Sequence, residues 1–568
     1  MATTCAPRDP YTWVVVGVRR GLLSVFTVAL VACGGGQSGP AARVANVGPA
    51  GADTTDGPGI ALNPPSTVGP SNRIGLTWQS PSSFTLFTVF VQRAAGQAFE
   101  AVDATVAGNS GQFARGAAWK LDFPTARVRV RGCNDANQCV DSNEQPLLDA
   151  LLGGLAPLPT TGAASFSKVE LSADGNTLAF WAPNAVFVFQ RATNGQWTQE
   201  AVLEPSVPSG SFGAPGHALS GDGNTIIVGD QADSGPVGGI DAPECGVGGI
   251  GPEASGAIYV FSRDAQHNWS RQAFIKAAVP VANEGFGFNI ATSHDGNRIL
   301  VNGISRMYLF EREANQWRQA HIFEARPGFS MGSSVAMAIS GDGLTIGVAA
   351  VTLPARIFAV HVYKSCACDD GWRFVADLRS AKALPVGPNE DQFGVALSFS
   401  GDGNILAAGA PDDPGDAGDN GTTMNFGSPH SGAVYVFAAA ETGIWQRRAF
   451  LKARTAPRFD RLGRQISLSA DGKVLSAFAC GFAANANGLR RNHPADAIAG
   501  PETQNCAVGG SNYVFEEDGN GAWSHTAAAI VAPGEQSFGE AFTTAMSADA
   551  QTVASLVAIS AGGRVVVY

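Results

Sequence analysis

The stretch SFSGDGNILAAGAP runs from Ser398 to Pro411. It holds a short apolar strand, the turn Asp402-Gly403, a second apolar strand and the closing Gly409-Ala410-Pro411. An Asp-Gly pair between two apolar runs signals a tight hairpin, because Gly tolerates positive φ and the Asp side chain caps the turn backbone. The unit recurs with its aspartate at Asp174, Asp222, Asp295, Asp342, Asp402, Asp471 and Asp549, at spacings of 48, 73, 47, 60, 69 and 78 residues. Six copies are preceded by a Phe-Gly or similar pair: Phe212-Gly213, Phe286-Gly287, Met331-Gly332, Phe393-Gly394, Leu462-Gly463 and Phe538-Gly539. The first copy is degenerate, with Ser165-Phe166-Ser167 in that place. An aromatic third strand follows, as in VFVF at 186–189, IYVF at 258–261 and VYVF at 434–437. A tryptophan then opens a fourth strand in six copies: Trp197, Trp269, Trp317, Trp372, Trp445 and Trp523.

Repeats decide this fold. A single four-stranded sheet cannot bury both faces, whereas seven arranged radially bury face on face and leave only short edges. Residues 147–568 therefore read as a seven-bladed β-propeller with four-stranded blades, in an all-β chain. The last repeat ends at Tyr568 after its third strand, so LLDALLGGLAPL, Leu147 to Leu158, is expected to supply the missing fourth strand of blade seven. The alternative for that segment is a linker or short helix, since its leucines also fit helical spacing. Composition agrees with many short strands and tight turns: of 568 residues 70 are Gly, and only 15% are charged.

The Phe-Gly, Gly-Ala-Pro and aromatic third-strand elements resemble the FG-GAP repeat of integrin α-subunit propellers and their bacterial relatives. FGVALSFSGDGNILAAGAPDD with GAVYVF is the nearest copy. WD40-like and TolB-like propellers also carry Asp-Gly hairpins but lack the other two elements. Ahead of the repeats, residues 73–145 alternate with period two and read as a small antiparallel β-sandwich. This segment resembles a fibronectin type III domain, with Trp78 at the early-strand core position and RVRVRGCNDANQCVDSNE as the last hairpin. It departs from that pattern at Ala126, where the tyrosine corner would stand.

The N-terminus reads as a targeting segment. Arg19-Arg20 precede an apolar run from Gly21 to Ala32, too short for a mature transmembrane helix. The sequence Leu30-Val31-Ala32-Cys33-Gly34 resembles a bacterial lipobox, which implies a signal peptide over 1–33 and lipidation of Cys33. Gly34 in place of an aspartate implies sorting to the outer membrane or cell surface. Residues 34–72, rich in Gly, Pro, Ala and Ser, read as a flexible tether. An oxidising compartment fits the cysteines. Cys133 and Cys139 bracket a hairpin tip and are expected to pair, and Cys480 and Cys506 bracket one long loop. Cys366 and Cys368 remain either a strained bridge or thiols, and Cys245 is the candidate unpaired thiol.

No catalytic, cofactor or metal site is assigned. The loop PDDPGDAGDNG gathers Asp412, Asp413, Asp416, Asp419 and Asn420; it reads as a solvated acidic loop, with calcium as the alternative against which its spacing argues. A Cys-x-Cys pair with His361 nearby is a weak zinc signal. His217 and His294, beside hairpins, read as structural. The formal net charge of −11 argues against nucleic acid as a partner. The functional expectation is a non-enzymatic envelope lipoprotein, held to the membrane by lipid alone, that binds a protein or glycan. Its binding face is expected to carry the Phe-Gly and Gly-Ala-Pro segments, where the second, fifth and sixth repeats have long insertions between strands two and three. The alternatives are a propeller hydrolase or lyase with a channel site, and a structural envelope component.

Overall fold

Each Ser-x-Asp-Gly turn is closed by the same set of hydrogen bonds. In the fifth repeat the Ser400 hydroxyl donates to Asp402 Oδ1 (2.6 Å) and accepts from the Ile405 N–H (3.0 Å), while Asp402 Oδ1 accepts from the Asn404 N–H (3.1 Å). The backbone closes with Gly403 N–H to Ser400 O and Ser400 N–H to Ile405 O. The serine and aspartate bonds recur in all seven copies, from Ser172-Asp174 to Ser547-Asp549. Gly403 has φ +65°, and a methyl there would come 2.5 Å from Thr345 Oγ1 of the preceding repeat. The seventh copy holds Ala550 at φ +57° in the glycine's place.

The computed structural model describes residues 59–567 apart from several internal stretches, the longest being 115–125, 155–167, 381–390, 491–510 and 531–543. Every element named among the described residues is a strand. From 153 onward they form seven antiparallel sheets, numbered here one to seven by their turn aspartates. Sheet five is representative: Leu397–Phe399, Ile405–Ala410, Ala433–Ala439 and Trp445–Leu451, each paired to the next. Sheet seven runs Thr544–Met546, Val553–Ile559, Gly562–Val567, and its outer strand comes from the N-terminal side of the repeats, with Gly153 opposite Val567 and Gly154 opposite Val566. The first strand of each sheet touches the first strand of the next, and that of sheet seven touches that of sheet one.

The turns complete this closure. Ala173 N–H donates to Gly221 O (2.8 Å), Asp222 N–H to His294 O (2.8 Å), His294 N–H to Gly341 O (2.9 Å) and Asp342 N–H to Gly401 O (2.9 Å). Gly401 N–H then donates to Ala470 O (2.8 Å), Ala470 N–H to Ala548 O (2.9 Å), and Ala548 N–H back to Ala173 O (2.9 Å). One backbone hydrogen bond thus joins every sheet to the next, in a closed cycle.

At the other end of the sheets the Phe-Gly pairs lie beside the ends of the second strands. Gly394 N–H donates to Gly409 O (2.7 Å) and Gly463 N–H to Phe478 O (3.0 Å). Phe212, Phe286 and Phe393 are fully buried, each edge-on to a third-strand tyrosine at 5.3 Å. Gly463 also backs onto the preceding sheet: a methyl on Gly409 would come 1.9 Å from Gly463 O. Both glycines are required because two backbones meet there without side chains between them.

Two five-stranded sheets pack over the core of the N-terminal segment. One is built around Arg73–Gln79 and the other around Leu86–Gln92 and Arg127–Cys133. Arg127–Cys133 buries every second residue, and Trp78, Val89, Val128 and Val130 fill the interior. The folded part begins earlier than the tether expectation of 34–72 allows. Ala61–Leu62 and Ser66–Val68 both pair with Arg73–Gln79, Ile60 and Leu62 are buried, and the Asn143 and Gln145 side chains bond the Leu62 backbone. Apolar residues scattered among Gly and Pro conceal an edge strand. The signal segment and Cys33 lie outside the described residues.

Replacing Ser400 with Ala strands one N–H and one carboxylate oxygen, and is expected to cost about 1–3 kcal/mol in denaturant unfolding at neutral pH. Acid should weaken the same turns. At Asp174, Asp295 and Asp402 burial raises the carboxyl pKa, but bonds from the serine hydroxyl and the following asparagine outweigh it and hold the pKa below the usual value. Because the folded pKa is the lower one, this stabilisation is present above about pH 4 and is lost as pH falls through the folded value. Unfolding free energy that stays flat from pH 6 to 3, or an unchanged Ser400→Ala variant, would contradict the turn as a stabilising unit.

Candidate functional site

The first strands surround a central channel with a cavity of about 440 Å³. Its wall includes the paired Lys168 and Glu170, the amides of Asn289 and Gln465, Ser467 and small residues such as Ala291. Lys168 also donates to His217 O (3.1 Å). The His217 ring is fully buried, and burial, helped by the Lys168 ammonium, pushes its pKa down to about 3. It is therefore neutral at physiological pH and unsuited to proton transfer there. Among the described residues no three His, Cys, Asp or Glu side chains group as a metal would require.

The opposite rim from the turn cycle carries the insertions. Those of repeats two and six fold back onto their own sheets: Gly239–Ile240 pairs with Trp269–Lys276, and Gly488–Arg490 pairs with Trp523–Ile530, each adding a fifth strand. The insertions of repeats two and five are tied down by the same buried clip. In repeat five the Lys452 ammonium donates to Asp413 Oδ1 (2.9 Å), Ser431 Oγ (2.7 Å) and Gly432 O (2.9 Å). In repeat two Lys276 donates to Asp233, Ser255 Oγ (3.2 Å) and Gly256 O (2.8 Å). Lys276 and both aspartates are fully buried. Burial pulls the Lys276 pKa down, and Asp233 opposes the shift. Each clip joins the start of the insertion, its end and the C-terminal end of the strand that opens on the tryptophan, so both ends of the loop are fixed.

The acidic loop is divided among these roles. Asp413 belongs to the clip, and Asp412 faces His430 Nδ1 (3.0 Å) and Arg461 Nε (3.5 Å). Asp416 and Asp419 accept the N–H of Gly418 and Gly421 within the loop (2.9 Å each), and Asn420 follows them. The described carboxylates do not converge on one point. Cys133 is bonded to Cys139 (S–S 2.06 Å), and Cys366 is bonded to Cys368. Cys245, Cys480 and Cys506 lie outside the described residues. His361 is buried between Phe329 and Phe374, with ring centroids at 4.5 and 5.7 Å. His294 enters the turn cycle through its backbone.

Sequence reading missed the two lysines. Their signal is present: only repeats two and five combine SGAIYVF or SGAVYVF with FIKA or FLKA seven residues past the tryptophan.

No family model matches the chain, and no curated protein does. Matches to solved structures are with β-propeller-like proteins. A functionally unknown protein from Desulfotomaculum acetoxidans is 11% identical, with TM-score 0.35, covering 71% of this chain and 96% of its own. A protein provisionally described as a 6-phosphogluconolactonase from Bacteroides uniformis is 11% identical, with TM-score 0.36, covering 79% and 98%. A protein provisionally described as TolB from Agrobacterium tumefaciens is 12% identical, with TM-score 0.29, covering 52% and 86%.

Exchanging Lys452 for Met leaves Asp413 buried without its ammonium and is expected to cost about 3–5 kcal/mol. The double exchange Lys452→Met with Asp413→Leu should recover part of that loss. A thermodynamic cycle with no coupling between the two would show that the clip does not hold the loop.

Proposed function

We propose that this chain is a non-enzymatic binding module of the bacterial envelope. In this reading the seven sheets are the blades of a closed FG-GAP-type propeller, which follows a fibronectin type III-like sandwich and a lipid anchor at Cys33. The insertion rim binds a protein or glycan. One observation carries the proposal: the insertions of repeats two and five are held at both ends by the same buried lysine clip, on the rim opposite a uniform cycle of turns. Long loops on a rigid scaffold are where recognition residues collect, and fixing their ends lowers the ordering cost of binding. Two buried charges per clip are an expensive way to shape a loop that does nothing.

The enzyme alternative draws on the channel. The described wall offers one carboxylate, Glu170, tied to Lys168, beside the fully buried His217, and no pair of carboxylates for general acid–base work.

Capture from envelope extracts tests the rim. Full-length protein with the loops of repeats five and six cut to Gly-Ser links should lose its partner. Protein with four Asp-Gly turns changed to Asn-Gly should keep it. The reverse pattern would put binding on the wrong rim.

Lipidation has its own test. Wild type made in a bacterial host should enter the detergent phase, and Cys33→Ser should stay aqueous. If both stay aqueous, the anchor is wrong.

A further inference from the structure

We propose that the junction of sheets five and six is a binding site for an acidic polysaccharide, centred on His430, Phe459, Arg461 and Asp412; this rests on the insertion rim being the binding face. The observation is a comparison between two copies of one loop. Where sheet two meets sheet three, Asn283 N–H donates to Glu253 O, Gly285 N–H to Ala254 O and Phe286 N–H to Ser255 O. Where sheet five meets sheet six, Phe459 N–H donates to Pro429 O, Arg461 N–H to His430 O and Leu462 N–H to Ser431 O. The backbone is the same in both, and so are its left-handed positions: φ is +60°, +59° and +48° at Asn283, Gly285 and Ala254, and +62°, +52° and +54° at Phe459, Arg461 and His430.

The first junction uses Asn and Gly, which tolerate this region, at its first two positions. The second places Phe and Arg there, against their conformational preference. Backbone strain of this kind persists where side chains have a task. These side chains form one group. The His430 and Phe459 rings stack, with centroids 5.4 Å apart and planes within 18°. Asp412 faces both His430 and Arg461. The His430 and Arg461 side chains keep 28% and 26% of their surface exposed, so the group is reachable from solvent. Phe426, exposed, lies in the same insertion.

The chemistry fits a sugar acid. A ring face covers the apolar C–H face of a pyranose. A guanidinium takes a carboxylate in a bidentate pair, and a carboxylate accepts sugar hydroxyls. The segment around Phe459 is rich in arginine, while the insertion that carries His430 brings Asp412, Asp413, Asp416 and Asp419, so recognition of the acid falls to the Arg461 guanidinium and not to the overall charge of the site.

The test uses full-length protein carrying Cys33→Ser, titrated with polygalacturonate and with neutral dextran. A second protein adds Phe459→Asn and Arg461→Gly, the residues of the relaxed junction. Polygalacturonate should bind the first protein and dextran should not. The added pair of changes should weaken binding at least about tenfold, the loss expected for a charge-assisted contact, and should raise the melting temperature by relieving the strain. Equal binding by both proteins, no polygalacturonate binding, equal affinity for dextran, or a lower melting temperature would each overturn the inference. If polygalacturonate fails while the shortened-loop protein still loses its envelope partner, the rim reading stands and only the polysaccharide site falls.

Discussion

The structure of the repeat region depends on a cycle of backbone hydrogen bonds. Seven Ser-x-Asp turns, six of them followed by glycine and the last by Ala550, each hand one N–H to a neighbouring carbonyl, and the seventh returns to the first. A single such bond contributes little net free energy. Its weight here comes from geometry, because each turn must hold its x residue at a fixed place before the bond can form. The serine and aspartate side chains do that, and the glycine lets the next sheet sit against the preceding one. Local turn chemistry and long-range closure are therefore one constraint. The turns are uniform for that reason, and a rim so occupied has little freedom to vary.

The other rim meets a different demand. Neighbouring sheets approach backbone to backbone at Gly409 and Gly463, and each buried Phe of the Phe-Gly pairs fixes the entry to its own sheet. Between strands two and three only the two ends of the connecting segment are held in this packing. Length can change there without disturbing the sheets, and it does change, in repeats two, five and six. Two of these insertions carry a buried Lys-Asp-Ser clip, and two return a fifth strand to their own sheet. The insertions are thus added structure with internal fixings. We read this rim as the variable, recognising one on that account.

Repeat proteins contain their own controls. The junctions after sheets two and five share backbone hydrogen bonds and left-handed residues but differ in side chains. Where one copy takes the relaxed residues and the other the strained ones, the difference points to the side chains. The same comparison sets Ala550 apart among the turns. The clips and the strained junction emerge from comparing copies within the chain, with no outside relative needed.

Much of the fold was legible because period-two strands and Asp-Gly turns are local signals. The all-β class, the four strands of each repeat and the turn positions follow from residues no more than about ten apart in sequence. The N-terminal origin of sheet seven's outer strand could be argued from a missing tryptophan strand, although Gly153 and Gly154 carry no strand signal of their own. The edge strand Ala61–Leu62 was not legible, since the Asn143 and Gln145 side chains that bond the Leu62 backbone lie some 80 residues away. Nor were the lysine clips, which join residues 20 to 43 apart, or the separation of Asp412 from Asp413 onto different partners. By itself the sequence determined the repeat unit, because turn and strand preferences act over a few residues. Tertiary structure alone decided which buried charges meet and which residues take left-handed backbone at the junctions between sheets, because those depend on where the next sheet lands once the cycle of turns has closed.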